Sequence, residues 1–269
     1  MFPSPPPSPK AEPAVTAVID ARDLGRAYAN RWAVQHLDLQ VQAGEIYGFL
    51  GQNGAGKTTT IRMLAGLLRP TAGQIRVAGL DPVADGRALH QILGVVPDTP
   101  PLYDYLTGRQ YVALVAGLWH VERRERDQRC DRLFAALQLE DVAEDLCKGY
   151  SHGTRKKIQL AAVLTTAPSV LLLDEPSTGL DPLSTHRLKD LLREQSAAGT
   201  TILLSTHVLS IAEQICHRVG ILHGGRLAAE GSIADLCNRS GKTSLEEVFL
   251  AATLHNDPKD ANGDAAAAR

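Results

Sequence analysis

The chain has 269 residues, 44% of them hydrophobic, which suits one large or two modest globular domains and excludes a disordered chain. Its 28 basic and 30 acidic side chains leave a formal charge of −2, which excludes nucleic acid as the main electrostatic partner, with the basic run Arg155-Lys156-Lys157 as a local exception. No apolar run approaches the length of a membrane span and no signal peptide opens the chain, which predicts a cytoplasmic protein whose membrane role runs through a partner.

Met1–Pro13 carries six prolines and little apolar content, so residues 1–14 are expected to form a disordered or polyproline-like tail. The folded domain is expected over residues 15–254, followed by a polar, then alanine-rich tail over 255–269. Leu37, Leu39 and Val41 alternate with His36, Asp38 and Gln40, so this first part reads as exposed strands with one apolar and one polar face. Ala43-Gly44 reads as a turn and Ile46–Leu50 as a buried strand. Further strands are predicted at Gln74–Val77 and Leu93–Val96. From Thr107 to about Thr166 the chain reads as mostly helical, opened by a capping box of Thr107 and Gln110, with the charged Glu122–Arg129 stretch as a solvated helix start. Buried strands return at Val170–Leu173, Thr201–Leu204 and Val219–Leu222, separated by helices at about Pro182–Ser196 and Leu209–Ile215. Alternating strands and helices imply a mostly parallel sheet with flanking helices, and ligands of such sheets bind beyond the carboxyl ends of the strands. The four cysteines form no C-x-x-C pair, so neither a zinc knuckle nor a redox motif is expected.

Two runs carry the chemistry. Gly51-Gln52-Asn53-Gly54-Ala55-Gly56-Lys57-Thr58 fits the phosphate-binding pattern G-x-x-x-x-G-K-[ST] directly after a buried strand. Its glycines let backbone N–H groups turn around phosphate oxygens, the following helix adds the positive end of its dipole, Lys57 reaches the β- and γ-phosphates and Thr58 can ligate Mg²⁺. Val170–Leu173 then delivers Asp174 and Glu175 at a second strand end. Asp174 suits a hydrogen-bonded or water-mediated hold on Mg²⁺, and Glu175 suits polarisation of the water that attacks the γ-phosphate.

With those runs in place, the chain resembles the ATP-binding subunit of an ABC transporter over about Val18–Leu250. Tyr150-Ser-His-Gly-Thr154 resembles the Leu-Ser-Gly-Gly-Gln signature, Gly179-Leu-Asp-Pro182 the D-loop, Ser205-Thr-His207 the switch histidine and Tyr28 the aromatic that stacks on adenine. Pro100–Gly108 and Ser244–Phe249 look most like the ABC-2 exporter branch, whose membrane subunits are separately encoded. The resemblance implies a P-loop NTPase core, an N-terminal antiparallel β subdomain and a helical subdomain inserted at about 99–167. It implies ATP and Mg²⁺ as ligands, and a second ATPase subunit and a membrane-spanning permease as partners. The protein would sit on the inner face of the cell membrane through that permease, with the segment of Tyr103, Tyr105 and Tyr111 beside the permease groove; a role of these tyrosines in helix packing is the equal alternative.

The implied site is assembled from two subunits. Tyr28 stacks on adenine; Gly51, Asn53, Gly54, Ala55, Gly56, Lys57, Thr58 and Thr59 hold phosphates and Mg²⁺; Ser151 and Gly153 of the opposite subunit close on the γ-phosphate. Asp174 assists Mg²⁺, Glu175 activates water, His207 contacts the γ-phosphate and Asp181 links the two sites. The chain departs from the family at Asp98, where glutamine is usual; the carboxylate is expected to reach Mg²⁺ directly or through water. His152 replaces a signature glycine, which implies a mild pH effect on dimer closure. Trp119 is expected in the core, and the histidines other than His152 and His207 are expected to be satisfied or on the surface. The alternative reading, a soluble ABC ATPase acting on an assembly such as the ribosome, fits less well because the chain holds a single ATPase half and no sustained heptads.

Overall fold

A computed structural model of the protein describes residues 17–29 and 31–254; both predicted tails lie outside the described residues. Two sheets organise the chain. The first is antiparallel and three-stranded, in the order β2-β1-β4, formed by β1 (Ile19–Tyr28), β2 (Arg31–Val41) and β4 (Ala72–Val77). The second has six strands in the order β5-β6-β7-β3-β8-β9. Its members are β3 (Ile46–Gly51), β5 (Leu93–Val96), β6 (Val170–Asp174), β7 (Thr201–Thr206), β8 (Arg218–His223) and β9 (Arg226–Gly231). All pairings are parallel except β8–β9.

The parallel strands are apolar on both faces, and alternate residues feed different cores. Leu171, Leu173, Ile202 and Leu204 point into a core shared with α3 (Gly108–Leu118), α4 (Arg123–Leu137), α5 (His152–Thr165), α6 (Pro182–Ala197) and α7 (Leu209–Ile215). Val170, Leu172 and Leu203 point the other way, onto α1 (Lys57–Leu64), α2 (Gly86–Ile92) and the antiparallel sheet, whose Leu37, Leu39 and Val41 close that layer. A third cluster joins Leu50, Val219 and Ile221 to α8 (Ile233–Ser240) and α9 (Leu245–Leu254). The architecture is α/β: a mostly parallel sheet flanked by helices, an antiparallel N-terminal sheet, and a block of three helices between β5 and β6.

The local signals act as expected at most element ends. Thr107 and Gln110 form the predicted capping box on α3. Glu122 caps α4, which starts within the charged stretch. α7 matches its predicted span, whereas α2, β9 and α8 had no expectation attached to them. One placement differs from expectation. Trp119 is not core: it is half-buried at the α3 C-cap, where its Nε1 donates to the His90 carbonyl at 2.7 Å. The three tyrosines divide between the two readings: Tyr111 packs in the helical core and donates to Gln159 Oε1 at 2.6 Å, while Tyr103 and Tyr105 are 63% and 82% exposed.

Candidate nucleotide site

β3 ends at Gly51, and the chain must turn back on itself to start α1 at Lys57. Gly54 (φ +82°) and Gly56 (φ +112°) adopt left-handed conformations that residues with side chains resist. A Cβ on Gly56 would also lie 2.6 Å from the Ala33 carbonyl oxygen of β2. α1 has no side-chain cap, so its first N–H groups and the dipole behind them are available to an anion. Lys57 is buried and curls under the loop, where Nζ donates to the Gly51 carbonyl at 2.6 Å and the Gln52 carbonyl at 3.2 Å.

β6 brings its two carboxylates to the same place with different surroundings. Asp174 is buried and each of its oxygens accepts one hydrogen bond: Oδ2 from the Thr58 hydroxyl at 2.7 Å and Oδ1 from the Ser205 hydroxyl at 2.6 Å. Glu175 turns through a left-handed conformation (φ +49°), which separates its side chain from that of Asp174. Its Oε2 lies 2.9 Å from His207 Nδ1. Its Oε1 lies 3.3 Å from Lys57 Nζ, yet out of hydrogen-bonding geometry, and this buried oxygen has no hydrogen bond. The ion pair with Lys57 compensates the burial of this carboxylate.

One pocket of about 640 Å³ collects these groups. Tyr28 stands at one end, half-exposed, with the Arg26 guanidinium 4.9 Å from its ring centre. Asn53, Gly54, Gly56, Lys57, Thr58 and Thr59 of the loop line the pocket together with Asp98 and Glu175. Gly51 and Ala55 are buried within the loop; Asp174 and His207 join through Thr58 and Glu175. Ser151, Gly153 and Asp181 line no part of it. Ser151 caps α5 by accepting from the Thr154 N–H at 3.1 Å. Gly153 and the exposed His152 pack on Gly179: a Cβ on Gly153 would lie 2.7 Å from the Gly179 carbonyl. Asp181 caps α6 through the Ser184 N–H at 2.8 Å and hydroxyl at 2.6 Å, bonds that hold its carboxyl below the usual range.

The donor set fits Mg²⁺. Thr58, Asp174 and Asp98 bring oxygens beside the phosphate loop. Mg²⁺ favours that arrangement, one or two protein oxygens plus substrate phosphates. Three residues take places that the sequence did not assign to them. Ser205 holds Asp174, Trp32 lines the pocket near Tyr28, and Lys156 donates to Asp98 Oδ1 at 2.9 Å. Lys156 is buried and Arg155 is tied to Asp104 and the Cys147 carbonyl, so this basic run is not an open surface patch.

The ABC transporter family model matches residues 34–178, which contain the phosphate loop and both strand-end carboxylates. This chain belongs to the ABC transporter family. The daunorubicin/doxorubicin resistance ATP-binding protein DrrA of Streptomyces peucetius is 38% identical over 241 residues, 90% of this chain and 72% of that protein. The bacitracin transport ATP-binding protein BcrA of Bacillus licheniformis is 34% identical over 85% of this chain and 74% of its own length. A solved ATP-binding subunit of an ABC transporter matches with a TM-score of 0.83 at 32% identity, covering 87% of this chain and 99% of that one. As a member of this family the chain is an ATP-binding, ATP-hydrolysing P-loop protein. Among the described residues no helix is long and apolar enough to cross a membrane.

Proposed function

We propose that this chain powers export through a separate membrane-spanning partner, by trapping and hydrolysing ATP between two head-to-tail ATPase subunits on the inner face of the membrane. The observation that carries the reading is the division of the site. The groups that suit phosphate binding and water activation line one pocket, and Ser151 and Gly153 line no part of it. A second subunit presenting its own Ser151 and Gly153 would complete the pocket, so nucleotide would hold the dimer together. Relatives named for Nod factor export, bacitracin transport and daunorubicin resistance support a transport role over a ribosomal one.

In this mechanism the adenine stacks on Tyr28 while the loop N–H groups and Lys57 hold the phosphates. Thr58 and Asp174 offer the protein oxygens for Mg²⁺, with Asp98 in reach of the same pocket; the ion neutralises phosphate charge when bound. Glu175 accepts the proton of the attacking water on its unbonded Oε1, and His207 holds Oε2 and meets the γ-phosphate. Asp181 signals between sites. Loss of the γ-phosphate frees the interface, and the opening and closing of the dimer moves the membrane partner between two access states.

The test is affinity purification of the chain from gently solubilised native membranes, with mass spectrometry of what accompanies it. A polytopic membrane protein in stoichiometric yield is expected. Recovery of soluble partners alone, such as ribosomal proteins, would overturn the transport role and leave the ATPase chemistry standing.

A further inference from the structure

Lys156 sits on α5, the helix that Ser151 caps, and its side chain is 1% exposed. A buried ammonium is costly unless a charge and hydrogen-bond acceptors meet it. Here Nζ donates to Asp98 Oδ1 at 2.9 Å and, through a short bond, to the main-chain carbonyl of Glu175. The other side of Glu175 is held too: its N–H donates to the Ser205 carbonyl at 3.1 Å and the Ser205 hydroxyl at 3.2 Å. Both peptide groups flanking the Glu175 Cα are therefore anchored, by β7 on one side and α5 on the other. A left-handed backbone in a residue with a side chain persists only where its surroundings hold it, and these anchors determine where the carboxylate points.

We propose that Lys156 is a positioning residue for this site: its buried ammonium, neutralised by Asp98, fixes the Glu175 carbonyl and so aims the Glu175 carboxylate. The proposal rests on the ATPase reading above. It also accounts for the acid at 98. An amide there would leave the lysine charge unpaired, so Asp98 and Lys156 form one unit that spans 58 residues of chain. Because α5 carries both Ser151 and Lys156, a shift of that helix on dimer closure would be felt directly at Glu175.

The test uses the full chain with Lys156→Met, Asp98→Asn and the double variant, each followed by turnover, affinity for a fluorescent ATP analogue, and the melting temperature without nucleotide. Lys156→Met is expected to lower kcat on the order of tenfold to a hundredfold, the effect of a small misplacement, with nucleotide Kd within about threefold of the parent. Asp98→Asn is expected to lower Tm by stranding the ammonium, and the double variant to recover part of that loss. If Lys156→Met does not fold, Asp98→Gln with Lys156→Gln provides the neutral pair. A Lys156→Met kcat within about twofold of the parent, a Kd that rises in step with the kcat loss, or strictly additive Tm changes would overturn the proposal. Absence of turnover in the parent would overturn the ATPase reading and this proposal with it, whereas loss confined to the variants leaves that reading intact.

Discussion

Glu175→Gln separates the two roles that the geometry allows this carboxylate. The side chain is 12% exposed, 2.9 Å from His207 Nδ1 and 3.3 Å from Lys57 Nζ. Glutamine keeps its length and can still meet His207, so the pocket shape survives. It cannot accept a proton from water, which removes a general-base contribution of about 10²–10⁴ in rate, or about 3–5 kcal/mol of transition-state stabilisation. The exchange also removes a negative charge 3.3 Å from Lys57, the proposed phosphate ligand. A unit charge at about 4 Å and an effective dielectric of 20 is worth up to about 4 kcal/mol, so bound ATP, itself anionic, gains from the change. Phosphate release is therefore expected to fall by two to four orders of magnitude while an ATP-held dimer accumulates on a sizing column. Turnover within about threefold of the parent would reject Glu175 as the base. Loss of turnover together with loss of ATP affinity would recast Glu175 as a structural partner of Lys57.

Four further substitutions and one chemical treatment test other parts of the site and fold. Tyr28→Ala removes the stacking platform and is expected to weaken ATP by about 1–3 kcal/mol, measured by titration calorimetry, while Tyr28→Trp retains affinity. Tyr105→Ala is expected to abolish recovery of the membrane partner with stability changed by less than about 0.5 kcal/mol; Tyr111→Ala, in the core and bonded to Gln159, is expected to cost about 3–5 kcal/mol in urea unfolding. Burial pushes the Cys130 thiol up to about 11 and the Cys216 thiol up to about 12, so little thiolate exists near pH 8. Alkylation at that pH, followed by mass spectrometry, is expected to leave both unmodified until the protein is unfolded.

The chemistry of the site was legible where it is local. The phosphate loop and the Asp174-Glu175 pair are short contiguous runs at strand ends, and the burial needed to recognise those strands is written in Ile46–Leu50 and Val170–Leu173. Helix starts were legible for the same reason, since a cap bonds across three residues, as at Thr107 and Gln110. Placement that depends on distant packing was not. Tyr103, Tyr105 and Tyr111 look alike as a cluster, but only Tyr111 falls on the inward face of α3, beside Val112. Trp119 has the composition of core and the position of a helix end. β9 is an edge strand with a weak apolar pattern, so little in its residues distinguishes it from loop.

Asp98 shows why a departure from a family pattern is hard to interpret one position at a time. Taken alone, exchange of glutamine for aspartate adds a charge beside phosphates, which is unfavourable, or a ligand for Mg²⁺, which is favourable. The structure supplies a third term, a lysine ammonium 2.9 Å away whose side chain is almost wholly excluded from water while that of Asp98 is 52% exposed. The energetic demand comes from the more buried partner, because an unpaired charge costs most where water cannot reach it. The acid is thus the residue that answers to the lysine rather than the reverse, and its effect on nucleotide is exerted through a pair with no net charge. Lys156 also bonds the carbonyl of the residue assigned as base, so that pair cannot rearrange without altering one of the two anchors of Glu175.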